Sequence, residues 1–109
     1  EYVVKGAGHE QANGTYVRSR QECDGAYVYR RAGTSYALMR SGYESWSLAD
    51  LRGSAGERWS LRSVELYRVI RNPAGKTPPP LGWQAVEHEF GAAPVVEPTK
   101  APMFPALVV

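Results

Sequence analysis

Few residues in this chain are of types that do chemistry, and their spacing limits what they can do. The single cysteine, Cys23, lies in the polar run Arg18-Ser19-Arg20-Gln21-Glu22-Cys23-Asp24-Gly25. Neighbouring arginines lower a thiol's pKa and favour the nucleophilic thiolate. A catalytic thiol also needs a base, and the only histidines are His9 and His88. Nothing in the sequence sets either beside Cys23, so an incidental thiol in a turn-like stretch is expected. His88 stands in Glu87-His88-Glu89. Adjacent residues of a strand point to opposite faces, so only the two glutamates can share a side. That suits a solvated charged stretch, not a ligand set. Gly6-Ala7-Gly8 lacks the following helix and the Lys-Ser/Thr of a phosphate loop. Serines are plentiful, but no Gly-x-Ser-x-Gly elbow occurs. The expectation is a non-enzyme without cofactor or metal site.

Aromatic residues make up 11% of the chain and are its richest feature. Trp46, Trp59, Trp83, Tyr16 and Tyr67 are expected to fill the core of a small β domain. The binding surface is expected on two adjacent strands carrying Tyr27, Tyr29, Arg30, Arg31, Tyr36 and Arg40. Tyrosine and arginine are enriched where protein partners bind tightly, and they also stack on unpaired bases. Alternation sets Tyr27 and Tyr29 on one face and Arg30 on the other. The expectation is that the tyrosine face is buried and that Arg30 and Arg40 mark the functional face.

The elements that must position these residues follow from composition and pattern. At 109 residues the chain is one domain's worth, with 43% apolar and 22% charged residues. A net charge of +2 is far from the balance of a dedicated nucleic-acid binder. No apolar run reaches the ~20 residues of a membrane-spanning helix. One cysteine rules out an internal disulfide framework. Without a visible signal peptide, and with that unpaired thiol, a cytoplasmic domain of a larger protein is expected. All prolines lie at or after Pro73 and all tyrosines at or before Tyr67. Residues 18–71 hold ten arginines against six acidic residues, so the basic charge is concentrated in the middle.

Short β-favouring runs alternate with glycine turns. Tyr2–Lys5, Thr15–Arg18, Ala26–Arg31, Ser35–Arg40, Trp46–Leu48, Val64–Ile70 and Leu81–Val86 read as strands. Asn13-Gly14 and Asp24-Gly25 read as tight turns. Trp46-Ser47-Leu48 recurs as Trp59-Ser60-Leu61, suggesting two facing strands with Trp and Leu inward and serine outward. Residues 61–70 also fit a helical spacing through Leu61, Val64, Glu65 and Arg68, but β-branched and aromatic content favours a strand. The fold expected is all-β: a small antiparallel sandwich or barrel of six to eight short strands. A module over residues 1–97 is followed by a proline-rich tail over 98–109. Thr77-Pro78-Pro79-Pro80 reads as extended polyproline, and the chain after Gly91 as extended.

Several of these pieces recur in a known order. Val3-Val4-Lys5-Gly6-Ala7-Gly8, Asn13-Gly14-Thr15-Tyr16, the Trp-x-Leu element, Leu66-Tyr67-Arg68, Pro78-Pro79-Pro80-Leu81-Gly82-Trp83 and Ala93-Pro94-Val95-Val96 follow one another. The series resembles a small β-rich module of uncharacterised function in multidomain and tandem-repeat proteins of unicellular eukaryotes. The resemblance covers about residues 3–96 and implies a modular role, with no activity or catalytic residues to carry over. The family shows one Trp-x-Leu strand where this chain has two.

The function expected is a non-catalytic protein-interaction module of an intracellular protein. The alternatives are a nucleic-acid-binding β domain using the Tyr/Arg surface and a carbohydrate-binding module using exposed aromatic rings. The proline-rich segments at 77–80 and 101–105 read as loop and linker in preference to ligands of SH3- or WW-type domains.

Overall fold

A computed structural model describes residues 1–42, 44–52, 63–70 and 75–99. Its strands are β1 (Tyr2–Lys5), β2 (Gly14–Cys23), β3 (Ala26–Arg30), β4 (Tyr36–Arg40), β5 (Ser45–Asp50), β6 (Val64–Ile70), β7 (Gln84–Ala85) and β8 (Val95–Pro98). Two single turns of 3-10 helix, Glu10–Ala12 and His88–Phe90, are the only helical elements among the described residues. The all-β expectation holds. The strands form one antiparallel sheet in the order β7-β6-β5-β4-β3-β2-β1-β8, curled into a half-barrel, not two packed layers.

Long strand β2 makes the corner of this sheet. Its first residues pair with β1, as in Tyr2↔Tyr16, and its later residues pair with β3, as in Arg18↔Tyr29. A register shift falls between Arg18 and Glu22, where an irregularity bends the strand. The polar run 18–23 is therefore strand, and only Asp24-Gly25 is turn. Asp24 and Gly25 have φ of 51° and 83°, the paired positive values of a two-residue hairpin. Asn13-Gly14 behaves differently. Asn13 accepts the Ala7 N–H at 2.9 Å and donates to the Ala7 carbonyl at 3.1 Å, tying down a longer connection that contains the first 3-10 turn.

Curling gives the sheet an inner face that is the core. Val4, Tyr16, Tyr29, Leu38, Trp46, Leu48, Tyr67, Val69 and Val96 pack there, and Trp83 joins from the segment before β7. Trp46 is fully buried and donates its indole N–H to the Gly75 carbonyl at 2.9 Å. Trp83 donates to the Pro79 carbonyl at 2.8 Å. The buried Tyr16 hydroxyl donates to the Ala12 carbonyl, so each ring buries its area without stranding its polar atom. The second Trp-Ser-Leu copy, at 59–61, lies outside the described residues, as does the chain beyond Thr99.

The sheet's free margins are short or covered. Strand β7 has two residues where a longer strand over 81–86 was expected, because Gly82 and the preceding prolines do not feed a ladder. On the other margin, Val96 donates to the Pro80 carbonyl at 3.0 Å, so the proline segment runs beside β8 and offers few donors to a foreign strand. Gly8 explains the Gly6-Ala7-Gly8 run by packing: a Cβ there would lie 2.6 Å from the Ala92 nitrogen. Trp46→Ala is expected to lower unfolding free energy by about 3–5 kcal/mol in urea titrations, the range for truncating a buried aromatic ring.

Candidate functional site

The six residues expected to form a binding surface are dispersed. Tyr29 is buried in the core, with its ring edge-on to Tyr2 at 4.9 Å between centroids. Burial, and then Tyr2, push its pKa up. Tyr27 stays exposed at 41%, and the Arg18 guanidinium sits 4.7 Å above its ring. Tyr36 is half-buried, with its hydroxyl 3.0 Å from His9 Nε2. Arg30 donates to the Thr34 carbonyl within its own hairpin, and Arg31 donates to the Gln11 carbonyl, stitching that hairpin to the first 3-10 turn. Arg40 is buried at 7% and donates to the Asp24 carbonyl at 2.9 Å. Register also separates the two arginines expected to act together. Arg30 pairs with Ala37 and Arg40 with Trp46, and Ala37 and Trp46 belong to clusters on opposite faces. The tyrosine face is core at Tyr29, and the backbone positions of Arg30 and Arg40 alternate to opposite faces of the sheet.

A different set of residues is brought together on the outer face. Register aligns Met39 with Ser47, Ser47 with Arg68, and Arg68 with Gln84, a row crossing β4, β5, β6 and β7. Glu65 joins it through a bulge. Residues three apart in a regular strand point to opposite faces. Between Ala49↔Glu65 and Leu48↔Tyr67, however, β6 spends one extra residue, Leu66. Leu66 and Tyr67 both turn inward, and Glu65 and Arg68 end on the same side.

These side chains form one hydrogen-bonded chain. Ser41 Oγ lies 2.8 Å from Ser47 Oγ, Ser47 donates to Glu65 Oε2, and Arg68 meets both Glu65 oxygens through Nε and Nη2. The Glu65 carboxylate holds the Arg68 pKa above the usual guanidinium value. The Arg68 side chain is 48% exposed, and its Nη1 lies outside the pair. A cavity of about 260 Å³ opens beside the chain, walled by Cys23, Met39, Ser41, Ser47, Glu65 and Arg68, with Asp24 and Arg40 at one end. A second, of about 290 Å³, lies across Arg68 and is lined by Ile70, Gly82, Gln84, Ala85 and Val86. Arg68 lines both cavities, which together make an outer-face groove with the Arg68–Glu65 ion pair between them. Ile70 is 68% exposed at the far end.

The hairpin tip fixes the near end. Asp24 Oδ2 accepts the Gly42 N–H at 2.6 Å while the Asp24 carbonyl accepts from Arg40, clasping the β2–β3 turn to the β4–β5 turn. Cys23 faces the groove, but its surroundings oppose activation. Burial, and then the adjacent Asp24 carboxylate, push its thiol pKa up, against the lowering its arginine neighbours suggested. His9 serves the core instead: its backbone N–H donates to the Tyr67 hydroxyl, which donates to the Phe90 carbonyl. His88 lies in the exposed 3-10 turn, not in a strand. Among the described residues no group of His, Cys, Asp and Glu is placed to hold a metal. Ser47, Glu65 and Arg68 were not singled out by sequence pattern; the outward serine between Trp46 and Leu48 was the available signal.

A raised thiol pKa leaves less thiolate at any given pH. Alkylation of Cys23 by iodoacetamide is therefore expected to rise at higher pH than for an unstructured cysteine. Asp24→Asn is expected to shift that profile back toward lower pH. Compared with family models, with curated proteins and with solved structures, this chain has no match in any of the three.

Proposed function

We propose that this domain is a non-catalytic protein-interaction module of a larger intracellular protein, and that its partner binds along the outer-face groove of β4–β7. The observation that carries this reading is the groove itself. The first cavity is mainly apolar around Met39, the second mixes Ala85 and Val86 with more polar lining, and fixed polar groups stand between them, the make-up of a surface that anchors side chains and orients them. The polar groups are held in place before a partner arrives, because Ser41, Ser47, Glu65 and Arg68 fix one another. Preorganisation of that kind lowers the entropy cost of binding. The ordered motifs that resemble β-rich modules of multidomain proteins support a modular role.

Among the described residues neither alternative finds a comparable surface. The exposed Tyr27–Arg18 stack is a single ring, and Tyr27 pairs across strands with the acidic Glu22. Trp46 and Trp83, the rings best suited to a sugar platform, are core residues.

Selection of a random peptide library on the immobilised domain tests the proposal. The wild type is expected to enrich a common sequence with a micromolar Kd. A Ser41→Trp variant, folded by circular dichroism, is expected to lose it because the indole blocks the first cavity. Enrichment that survives Ser41→Trp moves the site elsewhere. No enrichment on the wild type removes the proposal.

A further inference from the structure

We infer that Asn13 is a site of spontaneous deamidation through the Gly14 nitrogen, suppressed while the β1–β2 connection is closed, and that the product keeps this connection from closing again. The chemistry needs only water. The Gly14 backbone nitrogen attacks Asn13 Cγ, the Cγ–Nδ2 bond breaks, and Nδ2 leaves as ammonia with the proton lost from the Gly14 nitrogen. Water then opens the cyclic imide at either carbonyl, leaving aspartate or isoaspartate. A following glycine offers the least hindered nitrogen, and here the fold itself requires one. Gly14 has a φ of 138°, and a Cβ there would lie 2.6 Å from Arg31 Nε. The other asparagine, Asn72, precedes Pro73, whose nitrogen carries no proton.

The closed connection holds this reaction back. Asn13 Oδ1 accepts the Ala7 N–H at 2.9 Å and Nδ2 donates to the Ala7 carbonyl at 3.1 Å, which ties the amide to residue 7. Asn13 has a ψ of 147°, and in extended backbone the following nitrogen does not eclipse Cβ, as ring closure demands. Gly14 is itself held in the ladder opposite Val4. Reaction therefore waits on local opening of residues 6–13. A second latch opposes that opening, because the His9 N–H donates to the Tyr67 hydroxyl at 3.0 Å. The products do not fit the closed state. Aspartate sets a carboxylate oxygen where Nδ2 donated, so two acceptors face each other beside the buried Ala7. Isoaspartate routes the main chain through Cβ and lengthens it by one carbon, just where β2 begins its pairing.

Peptide mapping with isoaspartate-specific methylation follows the reaction in the full chain at mildly alkaline pH. The mass change from losing ammonia separates Asn13 from Asp24-Gly25, which forms isoaspartate without it. Conversion in the native domain is expected to be slower by roughly tenfold or more than in guanidinium chloride, because each event first requires opening. Tyr67→Phe, folded by circular dichroism, is expected to speed native conversion several-fold by removing the acceptor of the His9 N–H. Asn13→Asp, which reproduces one product, is expected to speed amide exchange at Ala7 and Gly8. Equal conversion rates in the native and unfolded chains overturn the inference, as does an Asn13→Asp variant whose Ala7 and Gly8 amides exchange no faster than those of the wild type.

Discussion

Side chains alternate along every strand, so the whole molecule depends on keeping that alternation in phase from one strand to the next. Tyr29 lies opposite Leu38, Leu38 opposite Leu48, and Leu48 opposite Tyr67. All four face the core. Slipping one of these strands by a single residue would exchange its faces, exposing apolar side chains and burying serine, arginine or glutamate. Burying four such side chains is worth roughly 1.5–3 kcal/mol each, while burying an unpaired charge costs more than any one of them returns. The register is therefore strongly specified, and the outer face inherits its order from the inner one.

That inheritance connects packing to the groove. Met39, Ser47, Arg68 and Gln84 align across four strands because their in-phase neighbours are locked inward. The Leu66 bulge adds the one deviation that matters. It buries an extra apolar side chain and in the same step turns Glu65 and Arg68 to a common side. Exposed ion pairs contribute little to stability, about 0–1 kcal/mol. The value of this pair lies in fixing the guanidinium and engaging Ser47, which gives the groove a defined polar centre. The clasp of Asp24 on Gly42 and Arg40 then holds the hairpin tips that bound the groove.

The sequence showed the inner half of this plan more clearly than the outer half. Val64–Ile70 and Tyr2–Lys5 were readable to the residue, because β-branched and aromatic residues end against turn formers there. Strand β2 was not readable beyond Arg18, since both faces of residues 18–23 are polar and no alternation of hydropathy marks them. The phase of Arg40 relative to Arg30 depends on how β3 pairs with β4, which is a relation between strands and leaves no trace in either alone. Glu65 and Arg68 are the instructive case. Their spacing fitted a helix face, and in a regular strand it would have separated them. Only the bulge unites them, and its cause is the pairing of two consecutive apolar residues, Leu66 and Tyr67, with a core that accepts both.

The register of β3 to β7 is the claim on which core and groove both rest. Cross-strand backbone NOEs in the uniformly labelled domain measure it directly. The account predicts contacts between Tyr29 and Leu38, Leu38 and Leu48, Leu48 and Tyr67, and Tyr67 and Ala85, with Leu66 skipped. Contacts placing Leu48 opposite Leu66 would separate Ser47 from Arg68, and contacts placing Leu38 opposite Ser47 would exchange the faces of β4 against β5; either result would contradict it.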